Sequence, residues 1–76
     1  MFLIRVQFVE GVFTGPQKRE LISRLTDALL GAAGEDMRQA TWCVLEEIPG
    51  DRWGIGGETV ALDDVRALAR AAEAEG

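Results

Sequence analysis

Residues 53–57, with the sequence Trp-Gly-Ile-Gly-Gly, constrain the fold of this chain more than any other segment. Three glycines in five positions indicate a backbone that needs positive φ angles or close contact with another chain, as in a tight hairpin. The segment follows an apolar run, so it predicts a turn that continues a strand. It is not a phosphate-binding loop, because no Gly-Lys-Ser/Thr follows and no helix begins directly at it. We therefore expect structural glycines, which let a hairpin lie close to a neighbouring subunit.

Upstream of this segment, the chain predicts a strand, a long helix and a second strand. Residues 2–9 alternate between apolar and polar side chains, as a half-buried strand does. Thr14 has the spacing of a capping box with Gln17, and apolar residues then follow at helical spacing up to Gly34, the expected stop. Residues 40–48 are rich in β-branched and bulky side chains, which favours the second strand.

This order of elements predicts an α+β fold: a β-α-β unit with parallel strands and a right-handed crossover. A short C-terminal hairpin and an extra amphipathic helix, at about residues 62–74, complete a single domain over residues 1–76. One long helix covers only one face of a parallel sheet, and two strands leave exposed edges. We therefore expect a homo-oligomer in which other subunits cover the remaining surface.

The composition limits how the chain can be stabilised and which classes of partner it can bind. A chain of 76 residues buries only about 60% of its unfolded surface, so a single domain of this size is marginally stable. The single Cys43 cannot form an internal disulfide, which leaves oligomerisation as the route to stability. A net charge of −5 with scattered basic residues argues against nucleic acid or an anionic membrane as partner. No apolar run reaches the ~20 residues of a membrane span, and the start lacks a secretory pattern, so we expect a cytoplasmic protein.

The residue types that the chain lacks exclude several catalytic mechanisms. The chain has no His and no Tyr, and its only Ser, Ser23, lies within the helical pattern. These absences exclude Ser-His and Cys-His nucleophilic catalysis and argue against a zinc site, so we expect no metal and no cofactor. Acid–base chemistry would have to use carboxylates, Lys18, Cys43 or the chain's own amino terminus.

The order of these features resembles the tautomerase superfamily, in particular its short 4-oxalocrotonate tautomerase branch. The resemblance covers roughly residues 2–58 and rests on four matches in register: Glu10-Gly11 after the first strand, Gln17-Lys18 in the capped helix, Glu47 at the end of the second strand, and residues 53–57. It implies β-α-β subunits that pair into four-stranded dimers and assemble as hexamers, trimers of dimers. It also implies proton transfer in a keto–enol system.

The resemblance implies a catalytic machinery that this chain largely lacks. In the family an N-terminal proline is the general base, arginines bind the substrate carboxylates, and an aromatic residue closes the pocket. Phe2 occupies the position of the proline, and a bulky second residue normally protects Met1 from removal, so Phe2 presents an amide nitrogen. Val12 and Trp42 occupy the positions of the two arginines. Only the pocket aromatic is matched, by Trp53.

Several interpretations of these residues remain open. Met1 could act as a substitute base through its α-amine, but it lies one residue, about 3.3 Å, beyond the family position. We favour the interpretation that Met1 and Phe2 fill the pocket with apolar bulk, because misplacement by even an ångström can cost on the order of 10²-fold in rate. Trp42 could be part of a ligand wall, or a large apolar residue of the core or of a subunit interface. Arg52 and then Arg38 are the remaining candidates for an anion contact; otherwise both are simply solvated.

Two classes of function follow. The first is a divergent isomerase with much reduced or altered activity toward a small enolisable carbonyl compound. The alternative is a non-catalytic binding or assembly protein whose apolar pocket takes a small hydrophobic ligand and is lined by Phe2, Val12, Trp42 and Trp53. A variant of the alternative is a non-catalytic subunit in a hetero-oligomer with a proline-bearing partner.

Overall fold

The computed structural model describes residues 1–60 together with Asp64, Val65 and Ala67. These three residues are in helical conformation. Apart from them, the predicted C-terminal helix at about residues 62–74 lies outside the described residues.

The chain divides into two compact units. The first comprises Met1–Gln7 and Phe13–Glu46, and the second comprises Phe8–Val12 and Glu47–Gly76. The chain passes from one unit to the other within its two long strands, so each unit contains segments that are distant in the sequence.

The first unit contains the predicted β-α-β arrangement. Strand β1 (Phe2–Val9) begins in this unit, helix α1 (Gly15–Ala33) follows, and strand β2 (Thr41–Ile48) returns beside β1. The two strands are parallel neighbours in a two-stranded sheet. The predicted strands at residues 2–9 and 40–48 are therefore confirmed, the second to within one residue.

Helix α1 begins and ends where its signals predict. Thr14 has extended backbone angles, its Oγ1 accepts a hydrogen bond from the Gln17 N–H at 3.3 Å, and the Gln17 Oε1 accepts one from the Thr14 N–H at 2.8 Å. This is the reciprocal pair of a capping box, which satisfies two of the N–H groups left open at a helix start. At the other end, Gly34 takes a φ of 105° and its N–H donates to the Leu30 carbonyl at 2.8 Å.

A short 3₁₀ helix that the sequence analysis missed connects α1 to β2. This segment, η1, spans Glu35–Ala40. The Thr41 hydroxyl donates to the Met37 carbonyl at 2.8 Å, so the first residue of β2 is tied to the preceding turn. This bond satisfies a carbonyl near the end of η1 and fixes where the strand begins.

The sheet has one partly covered face and one open face. Ile4 and Val6 in β1 are half-buried, whereas their neighbours along the strand are exposed, as alternation predicts. In β2 the residues alternate in the same way, and the Arg5 Nε lies 2.7 Å from the Glu46 Oε1. This contact places odd positions of β1 and even positions of β2 on one side. We call this side the open face; it carries Leu3, Arg5, Gln7, Trp42, Val44 and Glu46.

The second unit is built from turns and a hairpin. The Glu10 N–H donates to the Ile48 carbonyl at 2.9 Å, and a 3₁₀ turn, η2 (Gly50–Arg52), follows Pro49 as the turn residues predict. Strands β3 (Gly54–Ile55) and β4 (Glu58–Thr59) pair antiparallel. The predicted C-terminal hairpin is therefore confirmed.

The two-residue loop of this hairpin explains two of its glycines. Gly56 and Gly57 have φ angles of 63° and 88°, the combination that a type I′ turn requires. A Cβ added to either glycine would meet no atom within 4 Å among the described residues. Their role within this chain is therefore to supply positive φ angles. The expected close approach of the hairpin to a neighbouring subunit stays a prediction.

The buried apolar side chains are few. Within the described residues they are Leu30 in the first unit and Phe8 and Val9 in the second. Burial of apolar area is the main stabilising term of a fold, so this part of the chain has little core to rely on. No helix among the described residues is long and apolar enough to cross a membrane.

The capping box gives a first prediction. Thr14→Ala removes the acceptor for the Gln17 N–H, and we expect the free energy of unfolding to fall by about 1 kcal/mol. Urea unfolding followed by far-UV circular dichroism measures this change. Ser23→Ala is the matched control, since Ser23 is an exposed position within α1 where alanine is the better helix former. Equal stability of the two variants would contradict a stabilising role for the cap.

Candidate functional site

The predicted site residues are divided between the two units. Met1, Phe2, Arg38 and Trp42 belong to the first unit, and Val12, Arg52 and Trp53 belong to the second. Each set is therefore described within its own unit. The sequence matches identified these positions one by one, but they do not show which side chains act together.

The two residues at the start of the chain are exposed. Phe2 is the first residue of β1, and Met1 precedes it with 83% of its surface exposed. Within the first unit, neither side chain therefore fills a pocket. The interpretation that both supply apolar bulk to a pocket stays a prediction about the assembled protein.

Trp42 lies on the open face, near the start of β2. Its side chain is 59% exposed, so it is not a core residue of its unit. An exposed indole of this size is typical of a surface that meets a ligand or another subunit. The alternative that Trp42 is a core residue is therefore wrong within this unit, whereas the ligand wall and the subunit interface both agree with its position.

Trp53 is held by the backbone on both sides. Its N–H donates to the Gly50 carbonyl at 3.2 Å, and its carbonyl accepts from the Val60 N–H at 2.9 Å. The first bond ties Trp53 to η2 and the second ties it to the residue that follows β4. The half-buried indole therefore projects from a backbone with defined partners.

Gly50 is needed for this arrangement because it lies against the Val60 backbone. A Cβ added to Gly50 would lie 2.5 Å from the Val60 carbonyl oxygen. Real Cβ atoms do not approach an oxygen so closely, so any other residue would push η2 and the end of the hairpin apart. The sequence analysis identified Gly50 only as a turn residue. Its contact with a residue ten positions later could not be inferred from local turn chemistry.

Val12 and Arg52 have simple surroundings. The Val12 N–H donates to the Val9 carbonyl at 3.4 Å in the turn after β1, and the side chain is half-buried. Arg52 is the last residue of η2 and is exposed, directly before Trp53. Arg52 therefore keeps the position beside the aromatic residue that made it the first candidate for an anion contact.

Arg38 is engaged by two carboxylates. Its Nη2 donates to Asp27 at 2.9 Å and to Glu35 at 3.2 Å, and its Nε donates to Glu35 at 2.5 Å. The hydrogen bond from Arg38 lowers the pKa of Glu35, and the two acceptors raise the pKa of the guanidinium. Asp27 lies on α1 and Glu35 lies on η1, so Arg38 connects these two elements. An anion would have to displace both carboxylates, so this geometry does not support Arg38 as an anion contact.

The candidate acid–base groups have clear positions. Cys43 is half-buried in β2, on the side of the sheet opposite the open face, and burial raises the pKa of its thiol. The protonated thiol is therefore favoured, and Cys43 fits the expected small strand residue better than a nucleophile. Glu46 lies on the open face, and Glu47, the next residue along β2, points to the opposite side. These two carboxylates therefore do not form a catalytic pair.

An open groove of about 160 Å³ lies along α1 in the first unit. It is lined by Phe13, Gln17, Glu20, Leu21 and Arg24. The two charged residues form an ion pair, with the Arg24 Nη2 lying 2.5 Å from the Glu20 Oε1. None of the predicted site residues lines this groove. Across the described part of the chain, no group of three or more Cys, His, Asp or Glu side chains is placed to hold a metal ion.

Comparison with known proteins gives consistent matches. The family model described as tautomerase enzyme matches residues 3–63. The probable tautomerase K2 of Dickeya dadantii (strain 3937) is 32% identical over 60 residues, which cover 79% of this chain and 88% of that protein.

Solved structures agree with this match. A structure from a study of the 4-oxalocrotonate tautomerase isozymes of Methylibium petroleiphilum is 30% identical with a TM-score of 0.67, and the match covers 78% of this chain and 90% of that one. TomN, a 4-oxalocrotonate tautomerase homologue in the tomaymycin biosynthetic pathway, is 32% identical with a TM-score of 0.70, over 86% of this chain and 94% of that one. The β-α-β fold with a short hairpin is therefore shared with these structures.

The contact of Gly50 with Val60 gives a second prediction. Gly50→Ala forces the turn and the hairpin apart, and we expect a loss of about 1–3 kcal/mol in the free energy of unfolding, as in other overpacked sites. The indole fluorescence should shift as well, because Trp53 is hydrogen-bonded to both segments.

Gly31→Ala is the matched control for this substitution. A Cβ at Gly31 would meet nothing within 4 Å, and alanine favours the helix by about 0.5–1 kcal/mol. Urea unfolding compares the free energies of unfolding of the two variants, and fluorescence emission spectra compare the environment of their indoles. A Gly50→Ala protein as stable as the Gly31→Ala protein, with an unshifted spectrum, would show that the close contact is unimportant.

Proposed function

Because the chain belongs to the tautomerase family, we propose that it is a divergent keto–enol isomerase of the 4-oxalocrotonate tautomerase-like branch, with much reduced or altered activity. One observation carries this proposal. The fold and the hydrogen-bonded Trp53 are kept, while apolar residues stand at the three positions where the resemblance places the catalytic base and the carboxylate-binding arginines; these are Phe2, Val12 and Trp42.

The proton-transfer step is the first part affected. A general base works best when its pKa lies near the operating pH, and the amide nitrogen of an internal Phe2 is not basic. The raised pKa of Cys43 favours its protonated form. The α-amine of an exposed Met1 is the group nearest to the family position, displaced by about 3.3 Å along the strand. A displaced base supports slow proton transfer at best.

The ligand is the second part affected. Arginine binds carboxylates through paired N–H donors, which valine and tryptophan lack. Val12 and Trp42 therefore favour a ligand with little negative charge at the positions where the resemblance places carboxylates. The net charge of −5 acts in the same direction, because it repels anions in solution. We propose a small, enolisable and weakly charged carbonyl compound as the substrate.

Restoring the base tests the isomerase proposal. We expect Phe2→Pro to raise the rate of phenylpyruvate tautomerisation by about 10²-fold or more over the unsubstituted protein, because general-base catalysis contributes on the order of 10²–10⁴-fold. Intact-mass spectrometry must first show that Met1 has been removed, so that the proline nitrogen is a free amine. Spectrophotometric initial rates then give the comparison.

Phe2→Ala is the control for this experiment. A small second residue also allows removal of Met1, but it leaves a primary amine at the same position. A gain in Phe2→Pro that is absent from Phe2→Ala supports a pocket that still binds an enolisable carbonyl compound and lacks the catalytic base. If Phe2→Pro is processed and still matches the buffer rate both for phenylpyruvate, a monocarboxylate, and for an uncharged enolisable ketone, the pocket does not bind such substrates and the isomerase proposal fails.

We also propose that the protein is a homo-oligomer, a hexamer built as a trimer of dimers. The support is the small buried core among the described residues together with exposed large apolar side chains at Leu3, Trp42 and Val44. Sedimentation velocity at micromolar concentration should show a species well above the 8.3 kDa of one chain. A monomer under these conditions would refute the proposal.

A second candidate is a non-catalytic binding or assembly protein, which the exposed Trp42 favours. It predicts binding of a small apolar ligand with quenching of tryptophan fluorescence, and buffer-level rates in both Phe2 variants. Its hetero-oligomeric form predicts a proline-bearing tautomerase subunit that co-purifies with the native protein. Repeated isolation of this chain alone would count against that form.

A further inference from the structure

We propose that Arg52 selects the ligand: its guanidinium binds the single carboxylate of a small acid whose apolar body lies against Trp53. This inference rests on the proposed isomerase function, in which Val12 and Trp42 cannot bind a carboxylate. It goes further, because it places the cation at a position to which the resemblance assigns no role. It also names the ligand class, an enolisable carbonyl compound with one carboxylate.

The guanidinium of Arg52 is uncommitted. Its side chain is exposed and makes no ion pair or side-chain hydrogen bond with the described residues. Most of the other basic side chains in this part of the chain do interact with other groups; these are Arg5, Lys18, Arg24 and Arg38. Arg19 is as free as Arg52, but it lies on α1 in the first unit. Arg52 therefore keeps all of its donors for a ligand.

The backbone that carries Arg52 is held in place. Its N–H donates to the Pro49 carbonyl at 2.9 Å, and the N–H of Trp53 donates to the Gly50 carbonyl at 3.2 Å. The Trp53 carbonyl accepts from the Val60 N–H at 2.9 Å, and a Cβ at Gly50 would lie 2.5 Å from the Val60 carbonyl oxygen. The turn therefore packs against the end of the hairpin. A ligand that binds here orders little backbone, which lowers the entropic cost of binding.

The chemistry of the two neighbouring side chains sets the class of ligand. Arg52 and Trp53 are consecutive, so their Cα atoms lie about 3.8 Å apart. A guanidinium binds a carboxylate through two parallel N–H donors. The half-buried indole offers apolar surface to a ring or an alkyl chain. A ligand that uses both groups has a carboxylate next to an apolar body.

The charges of the second unit favour one carboxylate over two. Arg52 is the one basic residue that the structure describes in this unit, where the described carboxylates belong to Glu10, Glu47, Asp51, Glu58 and Asp64. These groups and the net charge of −5 repel anions, so a second carboxylate on the ligand is disfavoured. An uncharged ligand would leave the guanidinium unused. A monoanion satisfies both conditions.

Three ligands test the proposed class in the full-length protein. Phenylpyruvate has both features, its methyl ester has the same ring and ketone without the charge, and acetate has the charge without the apolar body. Isothermal titration calorimetry should show phenylpyruvate binding at least about tenfold more tightly than either of the others, since a hydrogen bond to a charged group changes affinity by about that factor. Added salt should weaken the binding of phenylpyruvate but not that of the ester.

Substitution of Arg52 tests the residue. Arg52→Gln should lower the affinity for phenylpyruvate by at least about tenfold, to that of the ester, and should leave the affinity for the ester unchanged. Arg52→Lys keeps the charge without the paired donors, so its affinity should lie between the two. Arg19→Gln is the matched control, because it removes the same charge from another exposed and uncommitted arginine. Far-UV circular dichroism checks that each variant folds.

Several outcomes would overturn the role of Arg52. The inference fails if Arg52→Gln binds phenylpyruvate as tightly as Arg19→Gln does. It also fails if the ester or acetate binds as tightly as phenylpyruvate, or if the unsubstituted chain does not bind phenylpyruvate at millimolar concentration. If Arg52→Gln does not fold, the comparison of Arg52→Lys with Arg19→Gln decides in its place.

The failure of this inference can be told apart from that of the proposed function. The expected binding pattern together with buffer-level rates in Phe2→Pro would support Arg52 as the ligand residue and refute the isomerase. Turnover of phenylpyruvate and its ester with equal efficiency in Phe2→Pro, without any effect of Arg52→Gln on binding, would support the isomerase and refute the role of Arg52.

Discussion

A two-stranded parallel sheet has two faces, and a chain of this length has one long helix between the strands with which to cover them. Parallel strands are stable when both faces are packed, because their hydrogen bonds and side chains are then shielded from water. The described residues show the consequence directly: the residues of one face are half-buried, while Leu3, Trp42 and Val44 on the other face are exposed. The proposed assembly follows from this shortage of cover.

The second unit, which contains the hairpin of β3 and β4, is stabilised in a different way from the sheet of the first unit. Its few buried side chains are supplemented by backbone bonds that connect Trp53 to η2 and to Val60, and Gly50 permits these bonds because it has no Cβ. This explains how the glycine-rich segment can be kept while the residues around a catalytic base change. The segment maintains the position of an aromatic side chain, and its conformational requirements are independent of which group transfers the proton.

Local interactions made much of this fold predictable. The capping box at Thr14, the glycine stop at Gly34 and the two glycines of the hairpin loop each act within a few residues, and the structure confirms them. The 3₁₀ segment η1 was missed because no capping signal marks its start: its N-cap, Gly34, makes no side-chain hydrogen bond. Arg38 was predicted as a possible anion contact because its pairing with Asp27, eleven residues away on α1, cannot be inferred from the sequence, although its other partner, Glu35, lies only three residues away. The grouping of the site residues was unpredictable because they lie in two units and, in the proposed oligomer, on several subunits.

The tryptophan at position 42, where the resemblance places an arginine, bears on both the proposed ligand and the proposed assembly. An arginine on a sheet face binds anions and remains hydrated, whereas a tryptophan at that position loses the carboxylate contact and adds apolar area that water solvates poorly. A tryptophan at position 42, where the resemblance places an arginine, is therefore consistent with both the proposed weakly charged substrate and the proposed homo-oligomer. The proposed weak binding of carboxylates and the proposed assembly therefore both follow from the side-chain chemistry at this one position.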